Sequence, residues 1–119
     1  MIENWTEINS HEQVEEIREY SKKLPVLIFK HSTRCSISTL SWNRIKNRIS
    51  KLNLDRNQCF YLDLIAFRPI SDNLAEIFSV RHESPQILVI LNDECVYDSS
   101  HLSISIDRIK QELESLEQN

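Results

Sequence analysis

The chain has 119 residues, a length that fits one domain with a single hydrophobic core. Its formal net charge of -4 argues against a generally basic nucleic-acid binder, and 40% hydrophobic with 27% charged residues is typical of a globular protein. Glycine is absent, although average usage of about 7% would give roughly eight. Glycine-built phosphate sites are therefore excluded, and tight turns must use Asn, Asp, Ser or Pro.

The three cysteines, Cys35, Cys59 and Cys95, lack the even, dense spacing of a disulfide-stapled secreted domain. There is no Cys-x-x-Cys pair for a zinc finger, and no metal site is predicted. The polar N-terminus does not resemble a signal peptide, and no apolar run approaches the ~20 residues that span a bilayer. We therefore expect one domain over 1–119 in a reducing cytoplasm, without membrane or nucleic-acid partners. A monomer is favoured, although the sequence does not fix the oligomeric state.

The first half of the chain alternates strand and helix patterns. Residues 5–8 predict a short strand, and Ser10 begins a capping-box pattern for a helix that must end before Pro25. The apolar run at 26–29 is typical of a strand buried on both faces, and a polar loop is predicted at 31–34. A second helix is then predicted from an apolar stripe that consists of Ile37, Leu40, Ile45, Ile49 and Leu52.

The second half continues the alternation and ends in a hairpin and a helix. Residues 59–64 form another apolar run, and Ser71 is predicted to cap a third helix. A strand at 87–91 and a returning strand at 95–97 flank Asn92-Asp93, a hairpin turn whose residues tolerate positive φ. The closing helix is predicted from a stripe of Ile106, Ile109, Leu113 and Leu116.

The order β-α-β-α-β-α-β-β-α predicts an α/β fold in which a central mixed β-sheet is flanked by α-helices. With one cysteine just after the second strand, this is the thioredoxin-like arrangement. Cys35 would lie where that strand ends and the second helix begins. The free N–H groups and partial positive charge of a helix N-terminus stabilise a thiolate, which is the nucleophilic form of cysteine.

Cys35 and Ser38 enclose a Cys-x-x-Ser motif, in which serine replaces the second cysteine of a dithiol oxidoreductase. Such a site forms mixed disulfides but closes none within the motif. The Ser38 hydroxyl is a candidate donor to the Cys35 sulfur, and the alternative is a bond to the helix backbone. Pro85 is expected to be cis and to lie beside Cys35, as in thioredoxin-like folds. The backbone of Ser84 would then pair with an extended thiol substrate.

Basic residues concentrate around this motif in an otherwise acidic protein. The side chains predicted to lie near it are Lys30, His31, Arg34, Arg68, Arg81 and His82. Their charge would favour the thiolate and attract an anionic thiol. His101 follows the last strand on the same side of the predicted fold. There it either contacts the bound thiol or tunes Cys35, or it is a solvated loop residue.

Four segments resemble the monothiol bacilliredoxins, redox proteins of the bacillithiol system with a thioredoxin-like fold. They are residues 30–38 (KHSTRCSIS), 68–71 (RPIS), 80–86 (VRHESPQ) and 99–101 (SSH). The resemblance implies that Cys35 is the redox-active cysteine and that its substrate is a protein cysteine capped by bacillithiol. Ser36 stands where the family usually has proline, and it keeps an N–H that the proline would lack.

The sequence therefore predicts a monothiol thiol–disulfide oxidoreductase that removes bacillithiol or a similar small thiol from S-thiolated client proteins, without a bound cofactor. Cys35 and Ser38 are its predicted catalytic residues. The predicted substrate-binding residues are Arg34, Ser36, Ser84, Pro85 and His101. Cys59 and Cys95 are expected to be structural, with a resolving role for Cys95 as a minor alternative.

The rival interpretation is a binding module without catalysis, either an adaptor or chaperone-like domain or a carrier of a cysteine-ligated iron–sulfur cluster. Glutaredoxins that carry such clusters hold their thiol with a glycine-containing loop and a Gly-Gly turn. The absence of glycine argues against that version.

Overall fold

Five strands form one mixed sheet in the computed structural model, which describes residues 2–117. The strands are β1 (Thr6–Glu7), β2 (Val26–His31), β3 (Cys59–Asp63), β4 (Gln86–Leu91) and β5 (Glu94–Ser100). Their order across the sheet is β1-β3-β2-β4-β5. The first three run parallel, and β4 pairs antiparallel with both β2 and β5. The predicted α/β class with a mixed sheet is confirmed.

Four helices cover the two faces of this sheet. They are α1 (His11–Tyr20), α2 (Ser36–Lys46), α3 (Arg68–Ile77) and α4 (Ile106–Glu117). Within residues 2–117, every helix is too short or too polar to cross a lipid bilayer.

The central strand β2 is buried along its whole length, and its side chains alternate between two hydrophobic clusters. Leu27 and Phe29 pack with residues of α2 and α4 on one face, and Val26 and Ile28 pack with residues of α1 and α3 on the other. Burying each large apolar side chain contributes about 1.5–3 kcal/mol. Both ends of β2 are therefore held rigidly in the middle of the molecule.

The first helix is shorter than predicted. α1 has the expected capping box at Ser10. It ends at Tyr20, however, whereas the sequence allowed a helix that continued to Leu24, the residue before Pro25. Ser21 ends the helix because its polar groups bind the distant β4–β5 turn. Its carbonyl accepts the Asn92 N–H at 2.7 Å, and its hydroxyl accepts the Asp93 N–H at 3.0 Å.

The predicted apolar stripe of α2 is wrong in its first two residues, while Ile45, Ile49 and Leu52 are buried as expected. Ile37 and Leu40 are 44% and 46% exposed, whereas Ser38 and Ser41 are buried with Trp42 and Ile45. Residues 49–52 form a separate 3₁₀ helix. Ser38 faces inward because its hydroxyl has polar partners at the end of β2, so hydrogen bonding and not hydropathy orients the first turn of this helix.

The start of α3 also differs from the prediction. The helix begins at Arg68 with Pro69 in its first turn, where the missing N–H of proline costs no intrahelical bond. Ser71, the predicted cap, lies inside the helix and is fully buried.

The predicted hairpin turn is confirmed, with φ of 54° at Asn92 and 61° at Asp93. The Arg18 guanidinium donates to both oxygens of the Asp93 carboxylate, at 2.8 and 3.0 Å. These bonds hold the pKa of Asp93 below its usual value. Side-chain contacts from α1 therefore fix a turn that contains no glycine.

Ser79 is a second place where the lack of glycine is visible. It follows α3 in the left-handed region, with φ of 52°. The Val80 N–H binds the Ala75 carbonyl at 3.1 Å and the Ser79 N–H binds the Glu76 carbonyl at 3.4 Å, the Schellman pattern that usually has glycine at this position.

We predict that Ser79→Gly stabilises the protein by about 0.5–1 kcal/mol. Left-handed backbone costs a residue with a Cβ roughly 1–2 kcal/mol, and the greater freedom of glycine in the unfolded chain offsets about half of that gain. Urea unfolding of the wild type, Ser79→Gly and Ser79→Ala measures the effect. The alanine control keeps the Cβ and gains nothing. Equal stability of the glycine and alanine variants would contradict the prediction.

Candidate active site

Cys35 lies at the junction between β2 and α2, as expected. It is the N-cap residue of α2, with extended backbone (φ of -109°), and it is half-buried. Its N–H donates to the Ser32 carbonyl at 3.1 Å, and its carbonyl accepts the Thr39 N–H at 3.0 Å. The loop is thereby closed on one side and continuous with the helix on the other, which leaves the thiol at the positive end of the helix dipole.

The Ser38 hydroxyl is engaged by two groups other than Cys35. It accepts the Ser32 N–H at 2.9 Å and lies 2.6 Å from Nδ1 of His31. No hydrogen bond between Ser38 and the Cys35 sulfur occurs within residues 2–117. Ser38 therefore connects the first turn of α2 to the end of β2 and shapes the loop that carries the thiol.

His31, the partner of Ser38, lies outside the polar loop predicted at 31–34. It is the last residue of β2 and is 5% exposed, so it does not belong to the polar loop. Its ring stacks on Trp42 at 6.2 Å between centroids and also contacts Tyr61 and Phe29. Burial in this aromatic surround lowers the pKa of His31, and the nearby Asp63 carboxylate opposes the shift.

The Ser84–Pro85 peptide is cis, as predicted. Antiparallel pairing of Lys30 with Gln86 at the ends of β2 and β4 places it beside the end of the strand that leads to Cys35. Among the described residues, the backbone groups of Ser84 make no hydrogen bond outside regular structure. They are available to an extended ligand, and the buried Ser84 hydroxyl has no partner within residues 2–117.

His101 lies against the same loop. Its N–H donates to the Pro85 carbonyl at 3.0 Å, and its carbonyl accepts the Ser41 hydroxyl of α2 at 3.1 Å. Its imidazole Nε2 lies 3.0 Å from the Glu83 carboxylate, and this bond lowers the pKa of Glu83. The residue thus joins α2 to the cis-proline loop through its backbone, with φ of 55°.

The expected cluster of basic side chains forms only in part. Arg34 is exposed beside Cys35, as is the neighbouring Ser36, and Arg68 is exposed at the start of α3. Lys30 and His31 instead belong to the buried end of β2, where alternation directs them to opposite faces of the sheet. Of the basic residues predicted near the motif, Arg34 and Arg68 are exposed and form no ion pair with other residues in the range 2–117.

The other two cysteines occupy sites that disfavour thiolate formation. Burial raises the pKa of Cys59 to about 12. Cys95 donates its S–H to the Tyr97 carbonyl at 3.3 Å, and burial raises its pKa to about 11. Among the three free thiols, Cys35 alone lies at a helix N-terminus. Residues 2–117 also contain no group of three or more side chains suited to holding a metal ion.

These features agree with the match of residues 6–109 to the family model described as monothiol bacilliredoxin BrxC. The chain belongs to the monothiol bacilliredoxin family. The match covers the strand, loop, helix and cis-proline segments described above.

Solved structures show the same fold. One is assigned provisionally as an oxidoreductase with a thioredoxin fold; it is 29% identical, covers 91% of this chain and 92% of its own, and has a TM-score of 0.79. A redox protein from Chlamydomonas reinhardtii is 18% identical over 100% of this chain and 37% of its own, with a TM-score of 0.74. A thioredoxin from Trypanosoma brucei brucei is 9% identical, and the match covers 100% of this chain and 96% of that thioredoxin, with a TM-score of 0.72. The thioredoxin-like fold is thereby confirmed, and fold and family together support a thiol redox function.

We predict that His31 takes up its proton only below the ordinary histidine value of about 6.5. As the pH falls below that value, the unfolded chain binds a proton at His31 more readily than the folded chain does. His31 therefore lowers the free energy of unfolding in acid, and it has no such effect at higher pH, where the ring is neutral in both states. An NMR titration of the His31 ring protons measures the midpoint, with the same chain in urea as the control. A folded midpoint at or above the unfolded one would contradict the prediction.

Proposed function

We propose that this protein is a monothiol thiol–disulfide oxidoreductase that removes bacillithiol, or a small thiol of similar chemistry, from protein mixed disulfides. The observation that carries the proposal is the position of Cys35. It caps the N-terminus of α2, with the unpaired backbone of Ser84 in the neighbouring cis-proline loop, in a chain of the monothiol bacilliredoxin family.

The reaction needs one nucleophilic sulfur and no second cysteine. The Cys35 thiolate attacks the small-thiol sulfur of the mixed disulfide, the client–thiol S–S bond breaks, and the client leaves as a thiolate that takes a proton. Cys35 now holds the small thiol as a mixed disulfide. A second molecule of the small thiol attacks that sulfur, releases the oxidised thiol dimer and returns Cys35 to its thiolate form.

The substrate is held by backbone and by exposed polar groups. The free backbone of Ser84 beside Pro85 pairs with the extended part of the thiol, as an added strand would. Arg34 and the N–H of Ser36 lie on the Cys35 side and suit the carboxylates of an anionic thiol. His101 lies on the opposite side of the loop, where its bond to Glu83 competes with contact to the ligand.

Whether Ser38 donates a hydrogen bond to the Cys35 thiolate depends on the proton of His31. A serine hydroxyl has one proton to donate, so donation to Nδ1 of His31 leaves none for Cys35. When Nδ1 carries the proton, His31 donates to the Ser38 oxygen and the hydroxyl proton is released for the sulfur. The protonation and tautomer of His31 therefore control what Ser38 offers to the thiolate.

One observation favours the alternative of a binding module. Ile37 and Leu40 on α2, and Leu102 in the segment after β5, are exposed apolar side chains. They suit contact with a protein surface. In the oxidoreductase this surface would contact the client, whereas in an adaptor it would act without any exchange at Cys35.

Intact mass spectrometry after incubation with oxidised bacillithiol distinguishes the two functions, with oxidised glutathione as a parallel sample. We expect one thiol adduct in the wild type and in the Cys95→Ser control, and none in Cys35→Ala. The wild type, but not Cys35→Ala, should also release the small thiol from an S-thiolated client. A Cys35→Ala variant that still released it would refute the proposal. An adduct with only one of the two thiols would identify the cosubstrate.

A further inference from the structure

Lys30 is a lysine buried inside the part of the chain that the structure describes. It is the penultimate residue of β2, and its side chain is 1% exposed. Lysine is almost never fully buried unless its charge is paired. The proposed exchange at Cys35 makes no use of it, because alternation along β2 directs it to the sheet face covered by α1 and α3, opposite α2.

The Lys30 ammonium is bonded to both flanks of the cis-proline loop. Its Nζ lies 2.9 Å from Nδ1 of His82, before the Ser84–Pro85 peptide, and 3.2 Å from Oε1 of Gln86, directly after it. Gln86 is also the partner of Lys30 in the β2–β4 register. Its Nε2 donates to the Arg81 carbonyl at 3.0 Å, so the loop is tied back on itself through the same side chain.

This arrangement is costly for stability. Both acceptors are formally neutral, and burial lowers the pKa of Lys30 to about 8. The pKa of His82 is lowered by burial and by the charges of Lys30 and Arg68. The carboxylates of Asp72 and Glu83 oppose the lowering of the pKa at both Lys30 and His82. An apolar side chain of similar volume would avoid the desolvation of an ammonium. Lysine at this position has a use that an apolar residue lacks, because its hydrogen bonds to His82 and Gln86 lie on either side of Ser84.

We propose that Lys30 is a positioning residue that fixes the cis-proline loop so that the backbone of Ser84 presents itself to the thiol substrate. This inference rests on the proposed function, in which that backbone binds the substrate. His101 holds the loop from the α2 side through the Pro85 carbonyl, and Lys30 holds it from the α3 side. Without Lys30, the α3 side holds His82 only by the longer contact of 3.5 Å between its Nδ1 and the Ser71 hydroxyl. The loop is then less firmly anchored, so substrate binding weakens while the Cys35 thiolate keeps its reactivity.

Three variants separate this role from a merely structural one. Lys30→Met replaces the ammonium by an apolar group of similar length. His82→Leu removes one acceptor from a half-buried position, and it serves as the second variant if Lys30→Met does not fold. His82→Asn is the matched control, because its amide oxygen replaces Nδ1 as the acceptor.

The first readout is amide hydrogen exchange over residues 81–86. The second is the KM and kcat for release of the small thiol from an S-thiolated client peptide. The third is the rate of Cys35 with 5,5′-dithiobis(2-nitrobenzoic acid), which has no peptide backbone to pair with Ser84. We expect faster exchange and a KM raised about tenfold in Lys30→Met and His82→Leu, the size of one lost charged hydrogen bond. The kcat and the rate with the aromatic disulfide stay at wild-type values, and His82→Asn behaves like the wild type.

Unchanged exchange over 81–86 in both disruptive variants would overturn the inference that Lys30 holds the loop. Faster exchange with an unchanged KM would show that the loop is held but that Lys30 does not position the substrate. A wild type that releases no thiol from the client would instead count against the proposed function, and hydrogen exchange alone would then decide whether Lys30 anchors the loop.

Discussion

The antiparallel pairing of β2 with β4 is the constraint on which the site depends. The two strands lie next to each other in the middle of the sheet, and their register sets Lys30 opposite Gln86. One strand leads directly into the Cys35 loop, and the other begins directly after Pro85. The Cys35 thiol and the Ser84 backbone, 49 residues apart in sequence, therefore lie at the same end of this central strand pair.

The end of β2 uses its two faces for two different tasks. His31 is directed toward α2 and binds Ser38, which shapes the loop carrying the thiol. Lys30 is directed toward α3 and binds His82, which anchors the loop that receives the substrate. Both are polar side chains in a strand that is otherwise apolar, and both are buried. Side chains thus fix the loops of this site, in keeping with a chain that has no glycine to shape them.

The sequence predicts the strand and helix order, the Cys35 junction and the hairpin turn, because each has a local signature. The cis proline is predicted only from the likeness to thioredoxin-like folds. It does not predict the orientation of α2, since Ile37 and Leu40 are as apolar as core residues and only the partners of Ser38 show which face is buried. It also misplaces Lys30, because a lysine next to a polar segment suggests a loop. The residue that justifies its burial, His82, lies 52 positions away and has no local signature.

The most direct test is a crystal structure of the protein with Cys35 held as a mixed disulfide to the small thiol that reacts with it. If the site is built where β2 and β4 meet, an amide or carbonyl of the thiol will lie within about 3.2 Å of the Ser84 backbone, beside Pro85. A thiol that turns toward the exposed face of α2, and leaves the Ser84 backbone unpaired, would contradict this account of the site.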